Sequence, residues 1–426
     1  MGWFTNPIVA RCVHRGADPA QPATMGLVSH HGESRGVSPS RAERAARASL
    51  LGGAAFGTGL LAGSLATAMV FARLVLTPDH RRADDVTVLA STDDEVTLQT
   101  SVDTVVPGRY GLWLDGGAGH ARVGEVIRRD DERREVVRSL VSVDRGSLAP
   151  GPARWNPYYY WDAPQASMEL PCRDVAVETG LGPMPAWLLE PDTSTGRWAV
   201  LVHGRGAPRE ECLRALPALH RLGYTCLVTS YRNDVGAPPA PDGRYNLGLS
   251  EWRDVEAAMS YAVEHGAQEI VLVGWSMGGA IVLQTLSRSR LSALVEAVVL
   301  DSPVVDWGDV LAHHARMHRV PAPLRDLGIG LMGRRATRRL VGVHRPVDVA
   351  RTNWVARADE LRHRILIQHS VDDEFVPVGP SRALATARPD LVTWERWETA
   401  RHCTEWNVDP DRWERVIEDF LRDRRR

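Results

Sequence analysis

The segment Ile270-Val271-Leu272-Val273-Gly274-Trp275-Ser276-Met277-Gly278-Gly279-Ala280-Ile281-Val282-Leu283 reads as an apolar strand, a tight turn and the start of a helix. Four consecutive apolar residues suit a strand buried on both faces of a sheet. Gly274 and Gly278 bracket the turn, where the chain must reverse so sharply that flanking side chains have little room. Such a turn lifts the Ser276 hydroxyl above the sheet edge. It also leaves the backbone N–H of Met277 at a helix N-terminus, where it can meet a developing negative charge. A serine that merely caps the helix is the bland alternative.

Working outward, strands and helices alternate on both sides of this turn. Arg173 to Val177 and Pro185 to Glu190 are strand-like, and Trp198 to His203 is a continuous apolar strand. Arg209 to Leu222 has Leu213, Leu216, Leu219 and Leu222 at a helical spacing. Tyr224 to Thr229 is a strand, Leu249 to Glu264 a helix and Glu269 to Val273 a strand. Met277 to Ser287 is a helix, Ala297 to Leu300 a strand. Arg364 to His369 and Val392 to Trp397 are the last strands, and Trp413 to Leu421 is a terminal helix. This alternation is the signature of an α/β fold with a mostly parallel sheet flanked by helices. Residues 304–362 interrupt it with short, arginine-rich pieces carrying Trp307, Leu311, Met317, Leu324, Leu331 and Met332, a composition that suits a short cap over a site.

A serine hydroxyl needs a base to take its proton, and the base needs a carboxylate to orient it. Both follow Ser276 in order. Ile365-Leu366-Ile367-Gln368-His369 runs into Ser370-Val371-Asp372-Asp373-Glu374-Phe375-Val376-Pro377, and Thr399-Ala400-Arg401-His402 precedes the terminal helix. Two acids, Asp372 and Asp373, compete for the orienting role.

With these motifs, residues 172–424 resemble the α/β-hydrolase superfamily in its bacterial esterase and serine aminopeptidase-like branches. In that family His-Gly-x-x-Asp-x-x-Val-Pro carries the acid at its fifth place, which selects Asp373. The chain departs from the pattern with Ser370 in place of that glycine, and with Arg401 where glycine precedes the histidine. The resemblance implies a catalytic set of Ser276, Asp373 and His402, acting without cofactor or metal. His203-Gly204-Arg205-Gly206 resembles the family's first oxyanion-hole loop, so the N–H groups of Arg205 and Met277 are the expected donors. The implied activity is hydrolysis of a small-molecule acyl ester. Aminopeptidase-type hydrolysis is the second reading, with Asp234 or Glu251 as anchor for a substrate amine. A non-catalytic, membrane-anchored binding protein is the third.

The N-terminal part has a different texture. Residues 1–48 are polar and aperiodic and read as a disordered tail. Residues 49–72 carry no charge, and 24 helical residues at about 1.5 Å each would span a bilayer core. The expectation is a single-pass membrane anchor with the catalytic domain outside the cytoplasm, a cleaved signal peptide being the alternative. Residues 85–162 alternate with a period of two, through Val86–Leu89, Glu95–Leu98, Tyr110–Leu114 and Arg122–Val126, and read as a small β-rich module. The aromatic run Trp155, Tyr158, Tyr159, Tyr160 and Trp161 closes it, as packing between modules or as a stacking surface.

Composition removes several chemistries. The 426 residues include no lysine, so all 51 basic residues are arginine. A Ser–Lys dyad, a Schiff-base lysine and a P-loop lysine are therefore impossible in this chain. A net charge of −2 gives no electrostatic reason to expect a nucleic-acid partner. The five cysteines form no CxxC pair. His314 and His318 lie four apart, with His313 adjacent, a spacing that can grip a metal, but no third ligand of the HExxH kind is evident, and a polar cap helix is the preferred reading.

Overall fold

The computed structural model describes residues 66–70, 72–78 and 83–423. The tail at 1–48 and most of the expected anchor, residues 49–65, lie outside the described residues.

The expectation of a membrane anchor is corrected. Among the described residues no helix is long and apolar enough to cross a membrane. Residues 68–70 and 72–76 are helical, and Ala68, Ala72, Val75 and Leu76 are buried in the same core as the large sheet. The chain leaving this helix is pinned by hydrogen bonds. Arg205 Nη2 donates to the carbonyls of Leu74 (2.9 Å) and Thr77 (2.6 Å), and the Tyr245 N–H donates to Leu76 O (2.8 Å). An apolar stretch without charges reads alike whether lipid or a protein core covers it. Here the end that is seen is covered by protein.

The next module is a closed antiparallel barrel of β1 (Val86–Ser91), β2 (Glu95–Gln99), β3 (Tyr110–Leu114), β4 (Gly119–Asp130), β5 (Glu135–Arg145) and β6 (Gly151–Asn156), ordered β1-β2-β5-β4-β3-β6. Val88, Val96, Leu98, Leu112, Val123 and Val136 fill it from alternate positions. The sequence reading missed β5 and β6. On β5 the alternation is hidden because Arg138 points inward and is fully buried. Its guanidinium donates to the carbonyls of Gly124, Thr104, Val106 and Gly108 at 2.7–2.9 Å, which satisfies a charge that would otherwise be costly to bury. Burial pushes its pKa down to about 10.

The larger module is an eight-stranded sheet ordered β14-β13-β12-β11-β9-β10-β8-β7. Its strands are β7 (Arg173–Thr179), β8 (Gly182–Leu189), β9 (Arg197–Val202), β10 (Thr225–Thr229), β11 (Glu269–Trp275), β12 (Val295–Asp301), β13 (Arg364–Ser370) and β14 (Val392–Trp397). The pairings β7–β8 and β8–β10 are antiparallel and all others parallel. This is the α/β architecture expected. Ile270 to Val273 are wholly buried because β11 sits between β9 and β12 with helices on both faces. The helix expected over Arg209–Leu222 is a 3-10 turn, Arg209–Ala215, followed by α1 (Leu216–Arg221). The helices α2 (Trp252–Glu264), α3 (Met277–Arg288) and the terminal helix Pro410–Arg422 match the periodicity.

Residues 304–362 hold α4 (Trp307–Met317), α5 (Ala322–Gly333) and short 3-10 turns. Asp306 caps α4 by accepting the Gly308 N–H at 2.8 Å. Trp307, Leu311, Leu331 and Met332 are buried in the main core, whereas Met317 is 51% exposed. The apolar residues of the segment thus differ in kind. Trp307→Ala should lower unfolding free energy by about 3–5 kcal/mol through the cavity it leaves. Met317→Ala should change it by no more than about 0.5 kcal/mol. Denaturant melts of both variants check this; equal effects would show that Trp307 is not a core residue.

Candidate active site

The turn after β11 has the geometry its glycines require. A Cβ on Gly274 would lie 2.8 Å from the backbone of Gly278, and one on Gly278 would lie 2.1 Å from Val202 O. Neither position admits a side chain. Ser276 sits at φ 49, ψ −115, a sparsely populated conformation that costs about 1–3 kcal/mol. The turn is held by backbone bonds, from Ser276 N–H to Asp301 O (3.0 Å) and from Val304 N–H to Ser276 O (3.0 Å). Neighbouring β12 and the chain beyond it therefore fix the strained residue.

The chain brings together the three side chains expected from the sequence. His402 Nε2 lies 2.9 Å from Ser276 Oγ, and His402 Nδ1 lies 2.7 Å from Asp373 Oδ2. Asp373, not Asp372, faces the histidine; the Asp372 N–H caps onto Ser370 Oγ. The Asp373 side chain has no exposure to water. Its second oxygen accepts the N–H groups of Phe375 and Val376, both at 2.8 Å, and its first also meets His369 Nε2 at 3.1 Å. Burial works against the charged carboxylate, but the charge of His402 and the bonds from His369 and His402 overcome it, so the pKa falls well below the usual carboxylate range. For His402 burial disfavours the cation, yet the Asp373 charge and hydrogen bond outweigh it and raise the pKa above 6.5.

Several supports have roles that the sequence reading did not assign. His369 bridges Asp373 and Ser381 Oγ (2.8 Å) from within β13. His313 and His314 reach from α4 to the carbonyls of Glu374 (2.8 Å) and Phe375 (3.0 Å), bracing the acid loop. Burial and then His313 push the His314 pKa down to about 4, so it stays neutral. Arg401, in the place of the expected glycine, pairs with Glu374 (2.7 Å) and with Asp103 of the barrel (3.2 Å). Asn407 donates to the carbonyls of Arg109 (2.6 Å) and Pro157 (2.8 Å), and the Arg109 N–H donates to Asn407 O (2.8 Å). Tyr159 and Tyr160 meet the Trp406 ring at 5.8 and 5.6 Å. The barrel thus docks on the segment just past His402, and part of the aromatic run packs there. No motif flags these contacts, because each joins residues far apart in the chain.

The loop after β9 packs against Ser276: a Cβ on Gly204 would lie 3.2 Å from the Ser276 Cβ. The Gly204 carbonyl accepts from Tyr231 Oη (2.8 Å) and faces His203 Nδ1 (2.9 Å), while His203 Nε2 meets Asp234 Oδ2 (2.8 Å). Because the peptide is planar and trans, fixing that carbonyl turns the Arg205 N–H the opposite way. Glu211 takes the Gly204 N–H at 2.6 Å, and Arg214 donates to Cys403 O (2.6 Å) and Asn407 Oδ1 (3.0 Å). One 3-10 turn therefore ties the loops of Gly204 and His402 together. Asp234 is engaged with His203 and the Tyr231 N–H. Glu251 is buried and accepts the N–H groups of Asn246, Gly248 and Ser250. Glu251 is thus spent on the fold, whereas Asp234 uses Oδ2 alone and its buried Oδ1 has no hydrogen-bond partner among the described residues.

Cys403 Sγ lies 3.6 Å from His402 Nε2, but burial raises its pKa well above the ordinary thiol value and keeps it protonated. Nearby, Asp301 and Glu405 are buried acids whose pKa values burial raises, Glu405 most strongly. Glu405 accepts from Ser302 Oγ (2.9 Å) and the Ser370 N–H (3.0 Å), and Asp301 accepts from Trp413 Nε1 (2.8 Å).

A serine on a strand-to-helix turn, with a histidine and a carboxylate in sequence order on later loops of a mostly parallel sheet, defines the class of nucleophile-elbow α/β proteins. The chain belongs to the alpha/beta hydrolase family, whose profile matches residues 199–423. A domain of unknown function matches residues 87–156, the barrel. No curated protein sequence matches the chain. Among solved structures, an esterase of Pyrococcus furiosus is similar at 18% identity and TM-score 0.48, over 62% of this chain and 93% of that one. A thermophilic esterase from Thermogutta terrifontis is similar at 18% identity and TM-score 0.43, over 60% and 100%. Est1E from Butyrivibrio proteoclasticus is similar at 14% identity and TM-score 0.44, over 59% and 98%.

If His402 accepts a proton during turnover, it must enter the reaction neutral. A pKa held above 6.5 then makes activity fall as pH drops through that raised value. The acidic limb of kcat/KM should lie above pH 6.5 in the wild type. In Asp373→Asn, removing the carboxylate's charge should move the limb to lower pH, and turnover should fall about 10⁴-fold. Asp372→Asn should leave both nearly unchanged. A pH–rate series on the three proteins decides it; the opposite assignment would follow if Asp372→Asn were the crippled variant.

Proposed function

We propose that the protein is a serine hydrolase that cleaves carboxylic esters. The observation that carries this reading is the hydrogen-bond chain Ser276 Oγ, His402 Nε2, His402 Nδ1, Asp373 Oδ2, with links of 2.9 and 2.7 Å. Ser276 Oγ attacks the carbonyl carbon and its proton passes to His402 Nε2. The carbonyl oxygen becomes an oxyanion facing the N–H groups of Arg205 and Met277. Such donors are worth about 2.7–4 kcal/mol each. The intermediate collapses as the C–O bond to the alcohol breaks, and His402 returns the proton to the departing oxygen. Water, deprotonated by the same nitrogen, then attacks the acyl group and frees Ser276. Asp373 stays ionised throughout and stabilises the imidazolium.

An ester is preferred to a peptide because, of the two acids suited to grip an N-terminal amine, Glu251 is buried with both oxygens on backbone N–H groups, and Asp234 Oδ2 is already bonded to His203 and the Tyr231 N–H. Ser276→Ala should fold normally and lose about 10⁶ in turnover. The check is a panel of p-nitrophenyl esters and aminoacyl anilides run on both proteins. Ester turnover that Ser276→Ala abolishes supports the proposal. Retained turnover in that variant would displace Ser276, and faster anilide than ester turnover would replace the esterase reading with the peptidase one.

A further inference from the structure

A second polar cavity of about 220 Å³ opens between the start of α2 and the far end of the 304–362 segment. Its floor carries polar side-chain atoms that open into it with no hydrogen bond to other described residues. Asn246 and Ser250 are each 6% exposed and line this space. Their backbone N–H groups go to Glu251, but the Asn246 amide and the Ser250 hydroxyl have no partner among the described residues. Arg232, 8% exposed, gives Nε and Nη2 to Asp254 at 2.8 Å and leaves Nη1 unbonded among the described residues.

The walls are cationic. Arg232, Arg244, Arg253 and Arg345 line the cavity, against the carboxylates of Asp242 and Asp254. Both acids are engaged by the protein itself. Asp254 is held by Arg232, and Asp242 accepts the N–H groups of Arg244 (3.1 Å) and His344 (2.6 Å). Arg244 Nη1 is tied to Thr77 Oγ1 (2.6 Å), which fixes it as part of the wall. Arg253 and Arg345 form no ion pair among the described residues. Burial, then the neighbouring charges of Arg345 and Arg232, lower the Arg253 pKa, with Asp254 and Glu256 opposing the shift without cancelling it.

We propose that this cavity binds a phosphate-type dianion, through Arg232, Arg253 and Arg345 as charged donors and Asn246 and Ser250 as neutral ones. Planar guanidinium forks match tetrahedral oxyanions, and two unmatched cations suit a doubly charged ligand better than a monocarboxylate. The site is separate from the Ser276 chemistry and does not depend on it.

Calorimetric titration of the full chain, at constant ionic strength in chloride, tests the proposal with inorganic phosphate and phenyl phosphate as probes. Saturable binding of at least one is expected, weakened about tenfold or more in Arg253→Gln/Arg345→Gln. Asn246→Ala should weaken it about threefold or more. Melting temperatures without phosphate should stay at the wild-type value in the double variant, because neither arginine supports the fold through an ion pair. Tighter binding of phenyl phosphate would assign the site to phosphomonoesters, and tighter binding of inorganic phosphate to the free ion. Absence of binding by either probe up to about 10 mM, or wild-type affinity in the double variant, would overturn the proposal.

Discussion

Asp373 is a carboxylate with no access to water, and an ion in that position survives only if the protein supplies the hydrogen bonds that water would. Two of them come from the loop that bears it, through the N–H groups of Phe375 and Val376, one from His369 and one from His402. Each donor must in turn be held. Ser381 orients His369, and α4 braces the acid loop through His313 and His314. Arg401, the residue before His402, fastens that loop through Glu374 and reaches the barrel through Asp103. The position of His402 over Ser276 is the last link of this chain of obligations.

The barrel and the 304–362 segment acquire a physical purpose from the same requirement. Asn407 and Gly108 place the barrel directly against the backbone that follows His402; a Cβ on Gly108 would lie 2.0 Å from Asn407 O. Contacts so close leave the histidine loop little freedom. Preorganisation of this kind, with donors and acceptors fixed before substrate arrives, is the main source of transition-state stabilisation in such sites. The segment expected as a cap does part of the same work from the other side, since α4 contributes both histidines that touch the acid loop and buries Trp307 in the core.

How much of this was legible depended on whether the information was local. The elbow was readable because its strand, glycines and helix are contiguous, and the order of Ser276, Asp373 and His402 follows from where β11, β13 and β14 end. The choice between Asp372 and Asp373 came from the resemblance; in the fold it is Asp373 that meets His402. Arg138 hid β5 by placing a charge on the inward face, a pattern that alternation rules score as polar surface. The anchor was misread because hydropathy does not distinguish a lipid-facing helix from one covered by protein, and Ala68 and Ala72, at the end of the apolar stretch, are buried in the same core as the large sheet. His369, Arg401 and Arg214 work through partners that only the fold brings near.

The central claim is that Ser276 is the nucleophile that His402 and Asp373 activate. Incubation with a fluorophosphonate, followed by intact-mass analysis and peptide mapping, tests it without knowledge of the natural substrate. The account predicts a single adduct per chain, on the peptide containing Ser276, forming more slowly as pH falls through the raised pKa of His402. An adduct on another residue, or no adduct on folded protein at neutral pH, would contradict it.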